Sequence, residues 1–303
     1  MTLNRRRFLA ISASGLGVGL AGMAPAAPRH VWTGVALGAR ASIRLEHPEA
    51  QAIAARAASE ISRLERIFSL YDAGSALSRL NATGQLVAPP PELLECLTLA
   101  GAVHRASGGL FDPTVQPLWA LWAERVSAGS RPLPQELAAV RALGGWQDLR
   151  LEAGRIAMSP GMGLTLNGIA QGYVADRVAK ILAAEGLADI LIDTGEHRAL
   201  GGMPGGGDWP VTLAAGQGIA LRDKALASSA PLGTVFDAEG SLGHILHPAT
   251  GLPAPARWTG VSITAPTAAL ADALSTAACL MPDRAAIDAL VAGFDGAACV
   301  AAA

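Results

Sequence analysis

Apolar residues recur three and four positions apart between residues 49 and 68. Ile53, Ala57, Ile61, Leu64 and Phe68 fall on one side of a helix over that span. The same period predicts a helix over 91–107, where Leu93, Leu97 and Ala100 mark the buried side and Pro91 suits the first turn. Gly108-Gly109 ends it. Further helices are predicted over 134–143, over 172–185 through Val174, Val178, Ile181 and Leu182, and over 267–281 and 283–292. Residues 31–45 alternate loosely and predict a strand or hairpin. Short apolar runs predict strands at 149–151, 155–158, 164–166, 190–192, 211–213, 218–221, 224–228 and 261–264. Strands and helices alternate irregularly with few strand–helix–strand units, which favours an α+β fold over a doubly wound sheet. No composition shift marks a boundary, so one large domain with mixed or antiparallel sheets of short strands is expected over 27–303.

The first residues read as an address. Arg5-Arg6-Arg7-Phe8-Leu9 is followed by a Gly/Ala-rich apolar run to Met23 and then by Ala24-Pro25-Ala26-Ala27. Charged start, apolar middle and small-residue cleavage site are the parts of a secretory signal, and Arg5-Arg6 resembles the twin-arginine type. Residues 1–26 are expected to be removed and the mature protein to be periplasmic. Cleavage takes away three arginines and no acid, making a chain of formal charge −2 more acidic still.

Composition narrows the function. At 51% hydrophobic and 16% charged residues the chain has the means to bury a core and is no disordered protein. Negative net charge and only 4% aromatic residues argue against nucleic acid as a partner. Cys96, Cys279 and Cys299 match no metal spacing, and Cys96 and Cys279 sit in apolar helical patterns as small hydrophobes.

Four segments carry candidate chemistry. In residues 108–115 paired glycines precede Leu110-Phe111-Asp112-Pro113; alone, the segment reads as a helix cap and turn. Residues 165–173, Thr-Leu-Asn-Gly-Ile-Ala-Gln-Gly-Tyr, run from a strand through a small-residue loop into a helix whose N–H groups near Gly172 could hold phosphate, without matching the dinucleotide or Walker patterns. His244 and His247 are three apart on an extended segment, face opposite ways and are poorly placed to share a metal. Asp272, Ser275 and Thr276 share one face of an otherwise Ala/Leu helix. A carboxylate there is either paired, solvent-facing or ligating a hard cation such as Mg²⁺.

Taken in order, residues 68–81 (FSLYDAGSALSRLN), GGLFDPTVQPL from Gly108, NGIAQGYVAD from Asn167, HILHPATG from His244 and ALADALSTA from Ala269 resemble the ApbE family of FAD:protein FMN transferases across nearly all of the mature chain. The segment at 167–173 and the twin-arginine leader look most like the NosX branch, which serves nitrous oxide reductase maturation by flavinylating the membrane protein NosR. The resemblance implies Mg²⁺-dependent transfer of the FMN half of FAD to a Ser or Thr hydroxyl of an acceptor protein, with AMP released. It implies FAD contacts at Leu37, Tyr71, Leu110, Phe111, Asp112, Thr165, Gln171 and Leu246. It implies Mg²⁺ ligation by the Gly168 carbonyl, Asp272 and Thr276, with His244 for proton transfer. Three positions depart from the family pattern: His247 replaces its Asp before Pro, Gly195-Glu196 its Gly-Gly pair, and Thr165 its carboxylate. An FAD-binding carrier without transfer, or an FAD pyrophosphatase giving FMN and AMP, are the alternatives.

Overall fold

The computed structural model describes residues 30–45, 47–213 and 216–303. The expected leader at 1–26 lies outside the described residues. A seven-stranded sheet forms the centre, in the order β1 (His30–Ala36), β2 (Ala39–Leu45), β6 (Ile190–Asp193), β7 (His197–Leu200), β10 (Ala225–Ser229), β11 (Val261–Ala265), β12 (Ala298–Ala302). Each neighbouring pair is antiparallel. A three-stranded sheet pairs β5 (Arg155–Ala157) with β3 (Gln85–Val87) and β4 (Arg150–Glu152), and β8 (Trp209–Thr212) pairs β9 (Gly218–Leu221). The expected α+β class is found.

Helices cover one face of the large sheet. α1 (Ala50–Phe68) buries Ile53, Ala57, Ile61, Leu64 and Phe68, the stripe legible in the sequence. α2 is Ala76–Thr83, α3 Pro91–Ala106, α4 Gln116–Ser127 and α5 Pro134–Arg141. α6 (Ala170–Ala184) packs on α1 and crosses α7 (Ala268–Ala278), which lies on β10 and β11; α8 (Arg284–Ala292) follows. α7 is nearly apolar because almost all of its surface is enclosed. Gly172 in α6 makes the crossing possible: a Cβ there would run into the Ala268 carbonyl. Asp176 of α6 accepts hydrogen bonds from the Ala268 and Ala269 N–H groups, each 2.9 Å, satisfying donors that the first turn of α7 would otherwise bury unpaired.

Two satellite clusters flank the main core. Leu118, Trp122, Leu137, Phe236 and Leu246 pack around α4 and α5. Leu191, Ala199, Val211, Leu221 and Leu226 join the other sheet face to the β8–β9 hairpin. The strand expected at 164–166 is absent. Leu164 and Leu166 are buried, but the Leu164 N–H and C=O are both taken by the Asn81 side chain, at 2.8 Å each, so the segment joins no sheet. Among the described residues no helix is long and apolar enough to cross a membrane.

Candidate active site

Asp272 is the anchor of the site. It sits mid-helix in α7, 3% exposed, and its hydrogen bond is a long one, 3.4 Å from the Gly172 N–H to Oδ2. Burial pushes its carboxyl up to about 8, with the Asp176 charge adding to the shift against the Gly172 N–H. A carboxylate held this way is short of a cation. One turn on, Thr276 comes within reach of Gly168: a Cβ on Gly168 would sit 2.9 Å from the Thr276 Oγ1 and 3.4 Å from the Phe111 ring. The glycine is therefore required for the loop to close on α7. Ser229 at the end of β10 supports the pair, its Oγ 2.7 Å from the Ser275 Oγ and 3.4 Å from the Thr276 Oγ1.

Three loops are tied to this cluster. Phe111 belongs to the segment after α3, where Gly108 (φ 62°) and Gly109 (φ 85°) make the left-handed turn expected of a helix cap. The His104 ring fixes the segment through Nδ1 at 2.9 Å from the Phe111 carbonyl. The Asp112 side chain accepts from the Thr114 N–H and hydroxyl, at 2.8 and 2.7 Å. Thr165 is bound to the same segment, its N–H donating to the Pro113 carbonyl at 2.8 Å. Tyr71, 39% exposed, is hydrogen-bonded by the Asn167 side chain. Its loop is organised around Ser69, whose carbonyl accepts from the Ser75 and Ser78 hydroxyls at 2.5 and 2.9 Å. A cavity of about 400 Å³ borders the Asp112 segment, lined by His104, Gly109, Asp112, Gln147 and Ala249 but by none of Asp272, Thr276, Gly168 or Tyr71.

Leu37 enters from the β1–β2 turn. Its backbone is left-handed (φ 49°), followed by Gly38 at φ 87°. Such a turn suits the sheet's twist but normally takes Asn or Asp first; a leucine there costs about 1–2 kcal/mol. The Glu65 carboxylate holds it, accepting from the Leu37 N–H at 2.9 Å. The turn is linked to the rest through Gly195, where a Cβ would lie 3.1 Å from the Gln171 Oε1 and 3.5 Å from the Ala39 Cβ.

His244 lies on the long loop between β10 and β11. From Ser229, which touches Thr276, the chain runs on to Thr234, whose carbonyl is 2.9 Å from the His244 Nδ1. A carbonyl only accepts, so Nδ1 carries the hydrogen and neutral His244 presents a basic Nε2. Burial lowers its pKa below 6.5, against the effect of the Thr234 bond. His247 instead accepts from the Ala249 N–H at 3.2 Å.

Hydrogen bonds and close approaches tie Tyr71, Phe111, Thr165, Gly168, Gln171, Asp272 and Thr276 to one another or to immediate neighbours, with Leu110 and Asp112 flanking Phe111, whereas Leu37 reaches Gln171 only through Ala39 and Gly195. Leu246 differs: its side chain is buried with Leu118, Trp122 and Phe236. The residue as a whole is 4% exposed, so the expected FAD contact at Leu246 is not open in this arrangement. The N–H of Gly172 also departs from expectation, since it is buried and turned to Asp272 rather than offered to a phosphate. Among the described residues no three His, Cys, Asp or Glu side chains converge as a metal site. A carboxylate, a hydroxyl and a backbone carbonyl are a hard-oxygen set that suits Mg²⁺, which takes few protein ligands and completes its shell with water and phosphate.

Sequence reasoning passed over Asn81, Glu65 and Ser229. Asn81 stands in the quoted segment 68–81, but its clamp on Leu164 spans 83 positions and leaves no local signal. Asn81→Ala is expected to cost about 1–3 kcal/mol for two lost hydrogen bonds and to weaken FAD binding, measured by urea unfolding and by flavin fluorescence titration.

The comparisons with known proteins fit this arrangement. The ApbE family pattern matches residues 37–300, and the chain belongs to the ApbE family. It is 26% identical over 253 residues to the FAD:protein FMN transferase of Klebsiella pneumoniae (strain 342), covering 77% of this chain and 72% of that protein. It is 28% identical over 245 residues to the FAD:protein FMN transferase of Treponema pallidum (strain Nichols), covering 72% and 68%. The crystal structure of the Pseudomonas stutzeri flavinyl transferase ApbE in its apo form superposes with a TM-score of 0.76 at 25% identity, over 86% of this chain and 87% of that one.

Proposed function

We infer that this chain is an FAD:protein FMN transferase that works with Mg²⁺ and modifies a Ser or Thr hydroxyl. The observation that carries the reading is the buried Asp272 carboxylate, held by a long hydrogen bond from the Gly172 N–H one helical turn from Thr276, which itself meets Gly168. Asp272, the Thr276 hydroxyl and the Gly168 carbonyl would hold the metal. Bound there, Mg²⁺ supplies charge neutralisation for a diphosphate and its departing phosphate. The chain's own residues do the rest by positioning, as phosphoryl-type transfer demands little covalent help. Tyr71, exposed, offers a ring against which a flavin or adenine ring can pack, and Phe111, buried, backs the Gly168 loop. The acceptor hydroxyl oxygen attacks the FMN-side phosphorus, its proton passes to the His244 Nε2, and the P–O bond to AMP breaks.

Family membership supports FAD as the substrate. The leader motif Arg5-Arg6-Arg7-Phe8-Leu9 supports a periplasmic enzyme, and residues 167–173 support an acceptor of the membrane-bound NosR kind. The domain then comprises residues 27–303.

The test is incubation of the mature protein with FAD, Mg²⁺ and an acceptor domain carrying an exposed Thr or Ser, followed by denaturing electrophoresis. In-gel flavin fluorescence on the acceptor, lost with EDTA, is expected. Free FMN without labelled acceptor would instead identify a pyrophosphatase, and neither product an FAD carrier.

A further inference from the structure

Glu196 stands where the family pattern has the second glycine of a pair, in the turn between β6 and β7. β7 pairs with β10 so that Arg198 lies opposite Ala225 and His197 opposite Leu226. Ala225 and Ala227 face the core that contains α7, whereas Leu226 and Ala199 face the β8–β9 hairpin. Side chains alternate along a strand, so Arg198 faces α6 and α7, and Glu196 lies in the bend that leads into this strand. Arg198 marks that face by its ion pair with Asp176 of α6, 3.4 Å.

Glu196 is 7% exposed and accepts a hydrogen bond from the Ser228 N–H at 3.3 Å. The next residue, Ser229, is the one that touches Ser275 and Thr276. The turn carrying Glu196 is docked on the start of α6, the Thr194 hydroxyl donating to the Gln171 carbonyl at 3.2 Å. Gly172, next in that helix, reaches Asp272. Burial pushes the Glu196 carboxyl well above its usual range, and the Asp272 charge adds to that shift. Two enclosed carboxylates are thus tied to the same junction of α6, α7 and β10, Asp272 through the Gly172 N–H and Glu196 through the Ser228 N–H. Their mutual repulsion and desolvation are relieved by a dication between them.

We propose that Glu196 is a second carboxylate of the cation site, so that the protein takes up a divalent cation before FAD arrives. The inference rests on the assignment of Asp272 as a metal ligand. One carboxylate leaves half the charge of a dication to be met by the diphosphate, whereas two meet it from the protein alone.

Mn²⁺ titrated into the metal-stripped mature protein, with and without FAD, tests this by the loss of the free-ion EPR signal. Wild type is expected to bind one Mn²⁺ without FAD. Glu196→Gln, and Glu196→Gly as a second variant with the family residue, are expected to weaken that binding by about 10- to 100-fold while FAD restores much of it. The metal-free Glu196→Gln protein should unfold at a higher temperature than wild type, with a smaller rise on adding Mg²⁺. Asp272→Asn should lose Mn²⁺ with and without FAD. The proposal is overturned if wild type binds no Mn²⁺ until FAD is added, or if both Glu196 variants bind it as wild type does. If Asp272→Asn binds normally, the assignment beneath it fails as well.

Discussion

Asp272→Asn is expected to lower FMN transfer by about 10²–10³-fold or more, the scale on which removing one electrostatic group from a charge-developing site is felt. The substitution is close to isosteric, and an amide oxygen can still accept from the Gly172 N–H, which reaches Asp272 over 3.4 Å. What it removes is the charge. In the metal-free protein that charge is a burden, since burial pushes the carboxyl up to about 8. The variant should therefore fold at least as stably as wild type when metal is absent, while the stabilisation that Mg²⁺ gives wild type disappears. Acceptor labelling read beside thermal melts with and without Mg²⁺ checks both halves. A variant that melts early in all conditions would mean that Asp272 is structural. Near-normal labelling would mean that the metal sits elsewhere.

The helices were the legible part of this chain because their signals are local. The stripe Ile53–Ala57–Ile61–Leu64–Phe68 recovers α1 to within a residue, and the Pro91 start with the Gly108-Gly109 stop recovers α3. β7 was not anticipated: His197-Arg198-Ala199-Leu200 has two polar residues and earns its place in the sheet from β6 and β10, which flank it. β12 is Ala-rich, with Val300 as its one strong β former, and it pairs along the edge that β11 offers. α4 begins at Gln116-Pro117 directly after a 3₁₀ turn, so the motif hid the helix. At the site, Asp272 and Thr276 were legible as one helical face. Gly168 entered through the family resemblance, and the reason it must be glycine shows only when its loop meets Thr276 and Phe111. Glu196 was visible merely as a departure from a pattern; its meaning depends on how the β6–β7 turn docks on α6 and β10, which no local window contains.

Replacing His244 with Ala is expected to cut the transfer rate by about 10²–10⁴-fold, the usual worth of a positioned proton acceptor, with metal and FAD binding retained. Its pH behaviour distinguishes a base from a prop. Burial holds the folded-state pKa below 6.5. His244 therefore stays neutral, with Nε2 free, at all pH values above that lowered pKa, so the wild-type rate should be flat through neutrality and fall only as pH drops below 6.5. Stability follows the same sign. An unfolded imidazole takes up a proton near 6.5 while the folded one resists, so the contribution to stability is complete above 6.5 and is lost as pH falls through the folded value. His197 is also buried and shifted down, so it adds its own slope to the stability curve, and acid unfolding alone will not isolate His244. The rate profile between pH 5 and 8 does: His244→Ala should be slow and without the acid limb. A variant that keeps wild-type pH dependence at a reduced rate would place the proton acceptor on another group.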